Sequence, residues 1–107
     1  MSEIQHLTKK LNQFIDERNW GPSQTPKDLA ISISIEAAEL LEDFQWISSE
    51  EALEKNEENI REEIADVLIY SLMLCSKLDL DVKEIIEEKM VKNARKYPVP
   101  VEKVMAD

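Results

Sequence analysis

A chain of 107 residues with a single glycine, Gly21, has very few places where its backbone can turn sharply. Strand-rich folds need many tight turns built on Gly and similar residues, so this scarcity works strongly against them. The rest of the composition agrees: proline occurs four times, whereas Glu, Lys, Leu, Ile and Ala, all good helix formers, are abundant. The expected class is all-α. At this length one domain is expected over residues 1–107, with about 97–107 as an irregular tail. Such a domain buries only about two-thirds of its unfolded surface, which leaves room for a second subunit to complete the core.

Capping patterns place the helices. Ser2 with Gln5 forms a capping box ahead of the apolar stripe Leu7, Leu11, Phe14 and Ile15, and this first helix should end near Arg18 or Asn19. Trp20 to Gln24 reads as a loop. Thr25 as N-cap with Pro26 in the first helical position opens a second helix, expected to run to about Trp46. Ser48 with Glu51 suggests a further box and a short segment around Glu50 to Lys55, either separate from or joined to the helix that follows. From about Glu57 to Leu78 the pattern is helical, and Ile64 to Leu74 is apolar almost all round, as in a central buried helix. Asp81 with Glu84 caps a last helix that should stop near Lys96, because Tyr97-Pro98-Val99-Pro100 cannot continue it. Four main helices in this order suggest a bundle. Their apolar faces are broad for one chain, so a homodimer or homotetramer is expected.

The net charge of −10 opposes binding to polyanions such as DNA or RNA. A small phosphorylated ligand remains compatible if a divalent cation reverses the local field. Cys75 is alone, so neither an internal disulfide nor a multi-cysteine zinc site can form. No membrane-spanning run or signal segment is evident, and a cytoplasmic protein is expected.

Two pairs of carboxylates stand out. Glu36 and Glu39 lie in Ile31-Ser32-Ile33-Ser34-Ile35-Glu36-Ala37-Ala38-Glu39-Leu40-Leu41, and Glu63 and Asp66 immediately precede Val67-Leu68-Ile69. A spacing of three puts each pair on one helix face, where like charges repel unless something positive intervenes. One such pair is ordinarily a solvated helix face; two pairs in apolar sequence, on helices able to face one another, are much less easily accidental. Unpaired carboxylates resist burial, and the few basic residues nearby cannot neutralise four of them. Mg²⁺, with Mn²⁺ as a substitute, suits an all-oxygen donor set with no His or Cys. His6, the sole histidine, reads as an ordinary surface residue.

At these residues the chain resembles the MazG-like nucleotide pyrophosphohydrolases of the all-α nucleoside triphosphate pyrophosphatase group. Their Glu-x-x-Glu and Glu-x-x-Asp motifs appear as Glu36 to Glu39 and Glu63 to Asp66. Further similarity to the short dCTP pyrophosphatase-like branch lies in Glu17 to Trp20, Phe44-Gln45-Trp46, Asp66 to Tyr70, Lys89 to Asn93, and Tyr97-Pro98. The resemblance implies an intertwined homodimer or a dimer of dimers, with Glu36, Glu39, Glu63 and Asp66 binding Mg²⁺ and serving catalysis. It also implies phosphate contacts from Lys89, Asn93 and Lys77, and a nucleoside pocket lined by Trp20, Trp46 and Tyr70. Lys77 stands where relatives can carry an arginine directed at phosphate, and Leu11 where some carry a base-contacting histidine.

The implied reaction is Mg²⁺-dependent hydrolysis of a nucleoside triphosphate to monophosphate and pyrophosphate, a nucleotide-pool cleaning role, with Glu39 as the candidate to orient or deprotonate water. Alternatives are a dUTP or phosphoribosyl-ATP hydrolase of the same group, or a non-catalytic nucleotide-binding or dimerisation protein. For the aromatic residues, packing is the competing role, since Trp and Tyr contribute large areas to cores and subunit contacts. For Lys92, Arg95 and Lys96, complementing the helix dipole is the simpler role.

Overall fold

The computed structural model describes residues 1–101. It contains α1 (Glu3–Glu17), a 3-10 turn (Gly21–Ser23), α2 (Pro26–Glu42), α3 (Ser49–Lys55), α4 (Glu57–Lys77) and α5 (Val82–Lys96). Among the described residues there is no strand. Among these residues, too, no helix is long and apolar enough to cross a membrane.

Local chemistry accounts for most boundaries. Both halves of the Ser2–Gln5 box form, at 2.9 and 3.1 Å. Thr25 accepts from the Asp28 amide at 3.1 Å, and the Asp28 carboxylate accepts in turn from the Thr25 amide at 3.2 Å, completing a box in which Asp takes the usual role of Glu. At Ser48 and Asp81 only the N-cap side chain engages, accepting from Glu51 and Glu84 amides at 3.2 and 3.0 Å. The reciprocal half expected at Ser48 is replaced by a Lys55–Glu51 ion pair at 4.0 Å, which draws the Glu51 carboxylate along the helix instead.

α2 stops at Glu42, four residues short of the expected Trp46. The amides of Asp43, Phe44 and Gln45 bond to carbonyls three residues back, tightening the last turn, and Trp46 then takes a left-handed conformation with φ 73°. α3 and α4 are separate helices. Asn56 breaks them with φ −120° and ψ 18°, while its amide closes α3 on Ala52 and its carbonyl receives the first α4 bond from Ile60. The Asn56 side chain donates to the Asp43 carbonyl at 2.8 Å, pinning the start of α4 to the end of α2.

That link fixes one end of the principal helix pair. At the other end Leu29, near the start of α2, is fully buried in a cluster with Ile15 of α1 and Met73 near the end of α4. α2 and α4 therefore run antiparallel, and their contact is the most extensive in the chain. α1 also lies on α4, whereas α5 packs only weakly on the other helices.

The expectation that Ile64 to Leu74 is a buried centre needs correction within one chain. Met73 is buried, but Ile64 and Leu68 are 45% and 58% exposed, because α1 and α2 cover only part of α4. The chain exposes 8786 Å², against roughly 6,100 Å² expected of a compact monomer of this mass. Its radius of gyration is 17.7 Å, where about 13 Å is typical of a compact domain of this length. Tyr97 to Pro100 is non-helical, as expected, but Val101 is already helical; the remainder of the expected irregular tail lies outside the described residues.

Candidate functional site

Because α2 and α4 are antiparallel, their carboxylate pairs meet midway along the contact. One carboxylate oxygen from each of Glu36, Glu39 and Glu63 lies within 4.8 Å of the others. All three residues are half-buried. Asp66, one helical turn beyond Glu63, stays outside this set but lies near enough for its charge to disfavour ionisation of Glu36. Asp43, on nearly the same face of the sequence pattern, sits past the end of α2 and is not part of the group.

The electrostatics are those of a cluster with an excess of negative charge. The described ion pairs are Arg18–Glu17, Lys55–Glu51 and Lys83–Glu87, and none involves the cluster. The hydrogen bond with Glu36, followed by burial and the proximity of Glu39, pushes Glu63 from 4.5 up to about 7. For Glu36 the hydrogen bond with Glu63 acts downward, but burial, Glu39 and Asp66 together outweigh it, and the carboxyl ends above its ordinary value. One oxygen of Glu36, Oε2, is buried with no hydrogen-bond partner among the described residues. A buried acceptor left unsatisfied beside two further carboxylates is suited to a cation, and purely oxygen donors favour a hard divalent ion.

Next to the acids, a cleft of about 680 Å³ opens between α1 and α4, a size suited to a small molecule. Leu11, Trp20, Gln24, Asp66 and Tyr70 contribute to its walls. Trp20 meets Phe14 edge to face, with centroids 5.7 Å apart at 71°. Asp66 thus joins the acidic cluster to an aromatic-walled cleft. A second hollow of about 790 Å³, on the flank carrying Gln5, Asn12, Cys75 and Ser76, includes none of the four acids.

The other residues singled out in the sequence are placed as follows. Trp20 and Tyr70 come together in the cleft; Trp46 does not line it and is 91% exposed at its left-handed turn. Lys89 and Asn93 are exposed on the weakly packed α5. Lys77 donates to the Gly21 carbonyl at 2.7 Å. Two features had no sequence signal: Gln24 as a cleft residue, and the pairing of Lys77 with a backbone group 56 positions away.

Comparison with known proteins adds independent information. The family model described as MazG-like matches residues 31–106, a span holding both carboxylate pairs, Lys89 and Asn93. The chain is 34% identical over 92 residues to dCTP pyrophosphatase 1 of Mus musculus, covering 81% of this chain and 54% of that protein. It is 32% identical over 91 residues to dCTP pyrophosphatase 1 of Homo sapiens, covering 80% and 54%. The chain thus spans about half the length of these curated relatives. A crystal structure of a pyrophosphatase from Archaeoglobus fulgidus DSM 4304 superposes with a TM-score of 0.85 at 48% identity, covering 92% of this chain and 95% of that one.

Proposed function

The chain belongs to the MazG-like family, and on that footing we propose that it hydrolyses a nucleoside triphosphate to the monophosphate and pyrophosphate, with Mg²⁺ held by Glu36, Glu39, Glu63 and Asp66. The observation that carries this reading is the meeting of three carboxylates from α2 and α4, without a cationic partner among the described residues, beside a cleft of nucleoside size. When bound, Mg²⁺ supplies positive charge that polarises phosphoryl oxygens and eases ionisation of a water.

The chain's own residues then have separable tasks. Glu36 and Glu63, whose carboxyls both lie above their ordinary value, would hold the cation and would have to be deprotonated to do so. Glu39, in reach of both, orients the attacking water or takes its proton. Asp66 stands at the boundary of cluster and cleft, so the phosphates face the acids while the base lies between Trp20 and Tyr70. Aromatic faces accept any base with little discrimination. Because the named relatives are dCTP pyrophosphatases, dCTP is the first substrate to try. Leu11 presents no hydrogen-bonding group to the cleft, which argues against strict base selection at that position.

The proposed assembly is a homodimer or homotetramer. The excess exposed surface, roughly 2,700 Å² over a compact monomer, is of the order that an obligate interface covers. In it, Trp46, Lys89 and Asn93, which stand away from the acids of their own chain, are supplied to a neighbour's nucleotide. A cytoplasmic nucleotide pool is the corresponding setting.

The test is pyrophosphate release from a panel of ribo- and deoxynucleoside triphosphates with Mg²⁺, including dCTP, dUTP and phosphoribosyl-ATP, by the wild type and by Glu39→Gln and Asp66→Asn. Turnover by the wild type and its loss in both variants is expected. An inert wild type, or variants as active as the wild type, would refute the reading.

A further inference from the structure

We propose that Lys77 is a positioning residue: by holding the Gly21 carbonyl it fixes the loop that carries Trp20 over the cleft. The proposal rests on the reading of that cleft as the nucleoside site. Lys77 is the last residue of α4, and its ammonium reaches across to Gly21 at 2.7 Å. The Gly21 carbonyl also accepts from the Gln24 amide at 3.2 Å, so both of its lone pairs are used. One of these bonds closes the 3-10 turn on itself, and the other ties the turn to a different helix. Trp20 and Gln24 flank the anchored segment, and both line the cleft, as does Tyr70 from α4.

The other hydrogen bonds described for this loop, and its aromatic contact, come from its own flank. Trp20 receives support from Phe14, its amide bonds to the Ile15 carbonyl at 3.2 Å, and the Ser23 hydroxyl donates to the Trp20 carbonyl at 2.9 Å. These contacts belong to α1 or to the loop. Lys77 is different because it sets the loop against α4, the helix that carries Glu63, Asp66 and Tyr70. The Ile15–Leu29–Met73 cluster docks the helices on either side of the loop onto α4, and the Lys77 bond adds a direct polar tie that tunes the separation between the Trp20 and Tyr70 walls and the depth at which a nucleoside seats relative to the acids. Asn19 precedes Trp20 with φ 54°, a left-handed conformation that Asn adopts more readily than other non-glycine residues, so the chain reverses here without glycine.

Lys77→Met removes the donor while keeping the stem, and Lys77→Arg keeps a cationic donor. Loss of one charge-assisted hydrogen bond at an exposed position should raise KM for nucleotide about fivefold in Lys77→Met with kcat within about twofold, and Lys77→Arg should recover most of it. A substrate-free readout runs beside this. Gly21 is the sole glycine, so carbonyl-labelled glycine gives a single ¹³C resonance, expected to move upfield in Lys77→Met and to stay near the wild-type position in Lys77→Arg. Acrylamide quenching of Trp20, measured in a Trp46→Phe background, should rise in Lys77→Met alone. If Lys77→Met fails to fold, Lys77→Gln, too short to reach the carbonyl, is judged by the same criteria. An unchanged carbonyl resonance, or a fall in kcat with unchanged KM, would overturn the proposal, the second result placing Lys77 at the phosphates instead. If the wild type turns over no nucleotide, the reading of the cleft fails, while the resonance and quenching still decide whether Lys77 holds the loop.

Discussion

Cation uptake at the acidic cluster should be coupled to proton release, and the coupling can be worked from the pKa of Glu63. With its carboxyl pushed up to about 7 by the hydrogen bond to Glu36, burial and Glu39, Glu63 is about 90% protonated at pH 6 and about 10% at pH 8. A metal ligand must be deprotonated, so Mg²⁺ binding should expel about 0.9 proton from this residue at pH 6 and about 0.1 at pH 8. The apparent affinity for Mg²⁺ should accordingly be about tenfold weaker at pH 6. Glu36, also raised, adds to the effect in the same direction. Isothermal titration with MgCl₂ in buffers of different ionisation enthalpy counts the protons directly, and Glu63→Gln removes the larger contribution. Equal proton release at the two pH values, or an affinity independent of pH, would refute the electrostatic reasoning.

The same shifts predict the stability of the metal-free protein. Glu63 has a folded pKa above its unfolded value, so its contribution is fully present below about 4.5 and is lost as pH rises through about 7; thermal melts in chelator should fall across that window and the fall should vanish with saturating Mg²⁺. Magnesium at 100 times its Kd should add about 2.7 kcal/mol to stability at neutral pH, read from denaturant midpoints. Leu29→Ala, at the fully buried centre where α1, α2 and α4 meet, should cost about 2–5 kcal/mol, and a loss below about 1 kcal/mol would mean that this cluster is not the core. Ile31→Asp, on an exposed apolar position of α2, should lower the mass seen by light scattering, whereas an unchanged mass would exclude that face from the subunit contact.

Much of the helical pattern was legible because it is set by neighbours in the chain. Ser2, Thr25, Ser48 and Asp81 cap through amides three residues on, and the prolines after Tyr97 end α5 without reference to anything distant. The three-residue spacing of Glu36 with Glu39, and of Glu63 with Asp66, likewise marks one face of each helix whatever the fold. Long-range contact was needed for the rest. The Asn56 bond to Asp43 and the burial of Leu29 against Met73 decide that α2 and α4 run antiparallel in the register that brings Glu36 to Glu63, and that register leaves Asp66 at the cleft instead of inside the triad. The apolar pattern signalled that one chain would leave surface uncovered, but which half of α4 is exposed and where Trp46 stands depend on how α1 and α2 pack, which hydrophobicity along the sequence does not encode. Lys77 illustrates the limit most directly: its charge is local, but its partner is a carbonyl 56 residues away, and only packing of the loop against the end of α4 brings the two together.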